Sequence, residues 1–181
     1  SGPIRLVIVF TLLALLPSLL IMMTSFTRII IVLSFIRRAL TTQTIRPTVA
    51  LVGLGLFLTL FTMAPTFSRI NAAAITPYIQ EKMTIEAAAQ TASDIMKEFM
   101  LKQTRPQDLA VFMDMAKTAR PANAMELGLH IVTPAFIISE FRTAFEIGAL
   151  LFVPFLLVDL VISSILLSAG MMMLPPQMIS L

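Results

Sequence analysis

Four charged residues lie in the apolar C-terminal part of the chain, where charges are least expected. Glu140, Arg142, Glu146 and Asp159 interrupt sequence that is otherwise almost entirely apolar. Ionisable residues in such segments are costly, and they persist where they pair with one another or line a water-filled passage. Two interpretations are therefore open. The charges neutralise each other or a neighbouring subunit, or they carry ions, in which case Glu140, Arg142 and Asp159 would serve an ion-coupled membrane transporter.

Helical spacing places part of this set on one face. Ser139, Arg142, Thr143 and Glu146 are separated by steps of three, four and seven residues, so they share one side of a helix, and Glu140 lies about 100° away. Arg142 and Glu146 are spaced to pair within that helix. We therefore expect a charged network or a set of subunit contacts here rather than scattered surface charges.

Arg28 is a fifth charged residue in an apolar segment. Eight uncharged residues separate it from Arg37, so it lies too deep in an apolar segment to reach water easily. We expect Arg28 to have a buried partner. Arg37 and Arg38, at the end of the segment, either extend to lipid headgroups or face protein.

The sequence argues against several kinds of chemistry. There is no cysteine, and the one histidine, His130, cannot supply the histidine pair of an HExxH zinc site. All the lysines lie between residues 66 and 128, away from the apolar segments where a serine–lysine hydrolase would need one. The sequence contains no basic patch interleaved with aromatic residues, the pattern that would indicate nucleic-acid binding. We expect no catalytic residue, no metal and no cofactor, and hence no enzyme.

Composition indicates the fold class. Apolar residues make up 57% of the chain and charged residues 13%, far from the roughly one-quarter charged content of a soluble domain. Residues 6–27 and 47–68 are free of charge and long enough for the ~20-residue helix that crosses a bilayer. We predict an all-α integral membrane or membrane-assembly protein of kinked hydrophobic helices with an amphipathic helical insert.

The chain divides into three parts of one domain, 1–181. Residues 1–65 form N-terminal hydrophobic helices, 66–128 an amphipathic insert, and 129–181 C-terminal hydrophobic helices ending in a methionine-rich loop. The connector after the first helices carries only positive charge, which predicts a cytoplasmic connector and a periplasmic insert. The insert's seven positive and seven negative charges indicate a solvated surface.

Proline, glycine and capping signals predict where the helices end and pack. Two glycines, Gly53 and Gly55, favour close helix packing. The predicted helices are 4–40, kinked at Pro17; 48–64, ended by Pro65; an amphipathic helix over 85–99; a following helix capped by Thr104; one between Pro134 and Pro154; and 155–169.

Five runs of the sequence resemble a known family, in order and over essentially the whole chain. They are residues 16–32, 99–105, 134–140, 154–161 and 170–176, the last reading Gly-Met-Met-Met-Leu-Pro-Pro. The chain resembles the FliP/SctR family of type III secretion export-gate subunits, on its flagellar side. Family members continue past residue 181 into another hydrophobic segment, which is absent from this sequence.

The resemblance implies a function, partners and a site. It implies a homo-oligomer that joins FliQ and FliR in a common gate, with FlhB associated, in the bacterial inner membrane at the flagellar basal body. Unfolded flagellar proteins would pass through its centre. The family's pore gasket would correspond to Met171, Met172 and Met173, whose unbranched, polarisable side chains can repack around varied substrates.

Overall fold

The structure, a computed structural model, describes residues 2–40 and 48–170, and about 86% of them are helical, with no strand among them. Three stretches are long and apolar enough to cross a membrane: Gly2–Leu19, Thr48–Ile79 and Leu129–Ser168. The predicted all-α membrane class is confirmed.

The N-terminal helices break later than predicted. Helix α1 (Gly2–Met22) continues through Pro17, and α2 (Phe26–Ala39) begins after a three-residue joint. In the joint, Oγ1 of Thr24 donates to the Ile21 carbonyl at 2.6 Å and accepts from the Phe26 N–H at 3.3 Å. Because one hydroxyl serves both helix ends, Thr24 fixes the break that proline was expected to make.

The third helix also passes its predicted end. Helix α3 (Thr48–Ile70) runs through Pro65 and continues as a π-helical turn (Asn71–Ile75) and the short helix α4 (Thr76–Ile79). The prediction that Pro65 ends the helix is wrong. Apolar membrane-type helices tolerate proline, because local changes in helix winding satisfy the backbone groups that it frees.

The two longest helices that lie wholly within the insert meet at a tight corner. Helix α5 (Ile85–Gln103) is capped by Thr84, whose hydroxyl accepts from the Ala87 N–H at 3.3 Å. Helix α6 (Pro106–Met115) follows after two residues. Thr104 does not cap α6 as predicted. Its hydroxyl donates to the Met100 carbonyl at 2.7 Å, so it completes the end of α5.

A single long helix closes the described chain. Helix α7 (Leu129–Ser168) has 40 residues and passes through both Pro134 and Pro154, so the predicted pair of helices is one continuous element. Its first half packs on α2, α5 and α6. Its second half leaves large apolar side chains exposed from Leu150 onward.

The core joins the insert to the start of α7. Buried side chains from α5, α6, α7 and the turn before α7, which contains a short 3₁₀ helix (Ala124–Glu126), form one cluster: Met100, Met113, Leu127, Ile131, Val132 and Phe136. This cluster fixes α7 against the α5–α6 hairpin and so positions the polar groups described below.

Glycines allow two close helix contacts. At Gly148 on α7, an added Cβ would lie 2.3 Å from Cδ2 of Phe35 on α2. At Gly55 on α3 it would lie 3.3 Å from Ile30. Among the described residues the predicted close packing is seen at Gly55 and not at Gly53, where an added Cβ would meet nothing within 4 Å.

Candidate functional site

The polar and charged residues between Ser139 and Glu146 lie on two faces of α7. Glu140, Ala144 and Gly148, spaced four residues apart, are buried on the face toward α2. Ser139, Arg142, Thr143 and Glu146 face the α5–α6 corner (residues 103–108). The helix therefore connects two separate polar contacts, which together we call the polar seam.

The first contact is an ion pair between distant parts of the chain. Nη2 of Arg28 on α2 donates to Oε1 of Glu140 on α7, and also to the side-chain oxygen of Gln103 at 3.2 Å. The Glu140 side chain is only 1% exposed, whereas Arg28 is 29% exposed. Charge-assisted hydrogen bonds are stronger than neutral ones. Arg28 therefore ties α2, α5 and α7 together at one point.

The second contact is a bidentate clasp between the corner and α7. The guanidinium of Arg105 donates to both carboxylate oxygens of Glu146, at 2.9 and 2.5 Å, and to Oγ1 of Thr143 at 3.2 Å. The hydrogen bond to Glu146 raises the pKa of Arg105 above its ordinary value. The fixed fork of a guanidinium matches a carboxylate, so this pair sets orientation as well as proximity.

A buried carboxylate lies beneath the clasp. Asp108 is 3% exposed, accepts a hydrogen bond from the Ser139 hydroxyl at 2.7 Å, and forms an ion pair with Nη2 of Arg142 at 3.0 Å. The Ser139 hydroxyl in turn accepts from the backbone N–H of Arg105 at 3.0 Å. Ser139 thus bonds both to the residue that precedes α6, Arg105, and to Asp108 in the first turn of α6. Each buried polar group of this contact therefore has a partner, as buried polar groups require.

The pairing within α7 differs from the expected one. Arg142 and Glu146 do not bond to each other; each pairs with the insert, Arg142 with Asp108 and Glu146 with Arg105. Partners supplied by a neighbouring helix at hydrogen-bond distance displace the weaker i,i+4 pair, which is worth only a few tenths of a kcal/mol.

Asp159 and the methionines stand apart from the polar seam. Asp159 is half-buried in the second half of α7, and within 2–40 and 48–170 its carboxylate has neither a hydrogen bond nor an ion pair. Met171, Met172 and Met173, the predicted gasket, lie outside the described residues.

A further charged cluster, separate from the polar seam, ties α3 to α5. Glu98 accepts from Nη2 of Arg69 and from Nζ of Lys102, both at 2.6 Å. These hydrogen bonds lower the pKa of Glu98 to about 2. Because this cluster is exposed, its ion pairs add little to the stability of the fold, although they mark where α3 packs against α5.

Sequence reasoning missed three residues of the polar seam: Gln103, Arg105 and Asp108. The balanced charge of the insert indicated a purely solvated surface, and the 3% exposure of Asp108 corrects that reading. The polar face of α7 was the available signal. Because a polar face on a hydrophobic helix needs complementary polar groups, it could have predicted that polar residues of the insert, such as those at the α5–α6 corner, pack against it.

The polar seam joins helices, and its described residues do not form a recognisable catalytic or metal-binding arrangement. Its carboxylates are matched by guanidiniums or a hydroxyl, and no group of three potential metal ligands gathers anywhere in 2–40 or 48–170. His130 is exposed in the first turn of α7, away from the polar seam. The fold and the polar seam thus define a helical membrane protein whose helices are joined by ion pairs, two of them to buried carboxylates.

Comparisons with known proteins give the family. A model of the FliP family matches residues 9–181. The flagellar biosynthetic protein FliP of Bacillus subtilis (strain 168) is 50% identical over 181 residues, which is 100% of this chain and 82% of that protein. The FliP of Caulobacter vibrioides is 49% identical over 178 residues, 98% of this chain and 67% of that protein, and the FliP of Aquifex aeolicus (strain VF5) is 48% identical over 180 residues, 98% and 75%.

The chain belongs to the FliP family of flagellar biosynthesis proteins. The predicted resemblance is confirmed, as is the assignment to membrane-associated protein transport in flagellum biogenesis. FliP proteins are not a known enzyme family.

Proposed function

We propose that this chain is a channel-forming subunit of the flagellar type III protein export gate. It would assemble as a homo-oligomer with FliQ and FliR, with FlhB associated, in the bacterial inner membrane at the flagellar basal body. Unfolded flagellar proteins would cross the membrane through the gate, and the chain would catalyse no reaction. The observation that carries the proposal is the match to flagellar relatives along essentially the whole chain.

The uncovered apolar surface supports an assembly in or at the membrane. Every α1 side chain that the structure describes is exposed, and so are most of those on α7 from Leu150 onward. A soluble monomer rarely exposes a contiguous apolar patch larger than a few hundred Å². Lipid or neighbouring subunits must therefore cover these surfaces.

Met171, Met172 and Met173 would form the gasket that closes the channel. Gly170 has φ +74, the left-handed conformation in which glycine commonly ends a helix. The end of α7 therefore lies immediately before the methionines. Flexible thioethers at that position can close on each other when no substrate is present and yield when one passes.

Replacing all three methionines by alanine tests the gasket. Assembly should remain intact, while the membrane becomes permeable to small solutes when export is idle. The matched control replaces two exposed methionines elsewhere, Met22 and Met115, and should leave the membrane tight. Unchanged permeability of the triple variant with normal assembly would exclude a sealing role.

The charges of the seam, and Asp159, would hold the subunit and its assembly together instead of conducting protons. Arg28, Glu140, Arg142 and Glu146 each have a partner within the chain. Asp159 would meet its partner on a neighbouring subunit of the assembly.

The alternative, an ion-coupled transporter using Glu140, Arg142 and Asp159, has less support. Glu140 and Asp159 are 19 residues apart on one helix, about 28 Å along its axis. No titratable residue lies on α7 between Glu146 and Asp159, a gap of 13 residues. Purified protein in liposomes separates the two proposals. A gate subunit without its partners should be inert, whereas ion flux that Asp159→Ala abolishes would favour the transporter.

A further inference from the structure

An apolar groove lies between α2 and α7. Its volume is about 240 Å³. Two rows of α2 side chains, spaced four residues apart, form its walls, and one aromatic ring of α7 closes it. The lining residues are Ile30, Ile31, Ser34, Phe35, Arg38 and Phe145.

The floor of the groove offers no free hydrogen-bonding group. The Ser34 hydroxyl donates to the Ile30 carbonyl at 2.7 Å and is satisfied within its own helix. Phe35 and Phe145 meet edge to face, with ring centroids 5.6 Å apart. An occupant of this floor must therefore be apolar, because a polar one would lose its hydrogen bonds with water without replacement.

One end of the groove is positively charged and unmatched. Arg38 is exposed, and within the part of the chain that the structure describes its guanidinium has no hydrogen-bond or ion-pair partner. Neither α2 nor α3 carries an acidic residue. On α7, Glu140 pairs with Arg28 and Glu146 with Arg105.

The remaining acidic residue of α7 is too distant to neutralise Arg38. Helices α2 and α7 run parallel, since Arg28 meets Glu140 and Phe35 meets Gly148 further along both. Arg38 lies three residues beyond Phe35 and is therefore level with about Leu151 on α7. Asp159 lies eight residues further on, about 12 Å along the helix, and forms no ion pair with Arg38. The open end of the groove therefore attracts an anion.

We propose that this groove binds an anionic phospholipid, with one acyl chain along the floor and the phosphate on Arg38. From Ile30 to Arg38 the groove follows α2 for about 12 Å, close to half of a hydrocarbon layer about 30 Å thick. A lipid of one leaflet has this shape, an apolar chain that ends in a negative charge. Basic pockets between membrane helices are known to bind acidic headgroups.

Native mass spectrometry of the full chain in mild detergent tests the proposal. Phosphatidylglycerol and phosphatidylcholine are added in equal amounts, and the bound lipid is counted. Phosphatidylglycerol should be preferred. Arg38→Gln should reduce that preference about fivefold, the effect of one arginine near an anionic surface, and Arg38→Lys should keep most of it.

The matched control is Arg5→Gln, an exposed arginine on the apolar helix α1, away from the groove. It should leave the preference unchanged. Equal losses for Arg38→Gln and Arg5→Gln, or no loss for Arg38→Gln, would overturn the proposal, because the headgroup would then be held by general charge or by another site.

Filling the groove separates a lipid from a protein occupant. Ser34→Leu keeps Arg38 but removes space, so it should lower the retention of both lipids while the thermal unfolding midpoint stays unchanged. Because the chain has no cysteine, Ser34→Cys introduces a single thiol. Efficient cross-linking of two copies through that thiol by a short bis-maleimide would show that a second copy covers the groove, and would overturn the lipid assignment.

Discussion

Arg28→Ala is expected to destabilise the subunit more than any other single change in the polar seam. Arg28 supplies the only cation that contacts Glu140 within the described residues, and the Glu140 side chain is 1% exposed. Without Arg28, a carboxylate would remain buried and uncompensated. Breaking a buried pair in this way costs about 3–5 kcal/mol.

The structure also predicts an asymmetry between the two partners. Glu140→Gln leaves Arg28, which is 29% exposed and still donates to Gln103 at 3.2 Å. Water can solvate part of that cation, so we expect a smaller loss of about 1–3 kcal/mol. The double variant Arg28→Met with Glu140→Leu removes both charges. It should recover to within about 1 kcal/mol of the native chain, since apolar replacement of a whole buried pair is often neutral.

Unfolding of the full chain in detergent by denaturant measures all three variants. Against a typical total of 5–15 kcal/mol, the loss predicted for Arg28→Ala is large enough to resolve and to lower the recovery of assembled complex. The reasoning is refuted if Arg28→Ala loses less than about 1 kcal/mol. It is also refuted if the double variant is no more stable than Arg28→Ala.

Four further changes test other parts of the structure. Ser139→Ala should cost about 1–3 kcal/mol in denaturant unfolding, because Asp108 and the Arg105 N–H both lose a buried partner. Gly148→Ala should cost about 1–3 kcal/mol through the clash with Phe35, and the loss should shrink when Phe35 is replaced by leucine. The pKa of Glu98 is lowered from 4.5 to about 2 in the folded chain, so the contribution of its ionised carboxylate to stability is present above pH 4.5 and is lost as the pH falls toward 2. Glu98→Gln should therefore make the unfolding midpoint depend less on pH between these two values. Asp159→Ala should leave the unfolding of the isolated subunit unchanged and lower the yield of assembled particles, and normal yield with abolished export would favour a pore-lining role.

The fold class was predictable because it depends on composition, whereas the helix ends were not. Rules for proline come largely from helices in water, where a lost hydrogen bond and a ring clash stop the helix. In this chain Pro17, Pro65, Pro134 and Pro154 all lie inside continuous helices. The break between α1 and α2 contains no proline; there the Thr24 hydroxyl bonds to both helix ends.

Residues of the polar seam could be predicted only where the local sequence around a residue indicated its role. Deep placement in apolar sequence indicated that Arg28 needs a partner, but nothing local could name Glu140, which is 112 residues away. Asp108 was missed for a related reason. A balanced set of charges looks solvated from the sequence, and only tertiary packing shows that the corner turns one of its carboxylates inward.

Cross-linking of a stalled export substrate tests the central claim most directly. A photoreactive residue replaces Met172 in cells that carry a flagellar substrate fused to a domain too stable to pass. The account predicts a covalent adduct between this chain and the substrate that appears only when the substrate is stalled, and no adduct from the same residue placed at Met115, which is exposed on α6. An assembled complex with stalled substrate but no adduct at position 172, or an equal adduct at position 115, would contradict a channel lined by this chain.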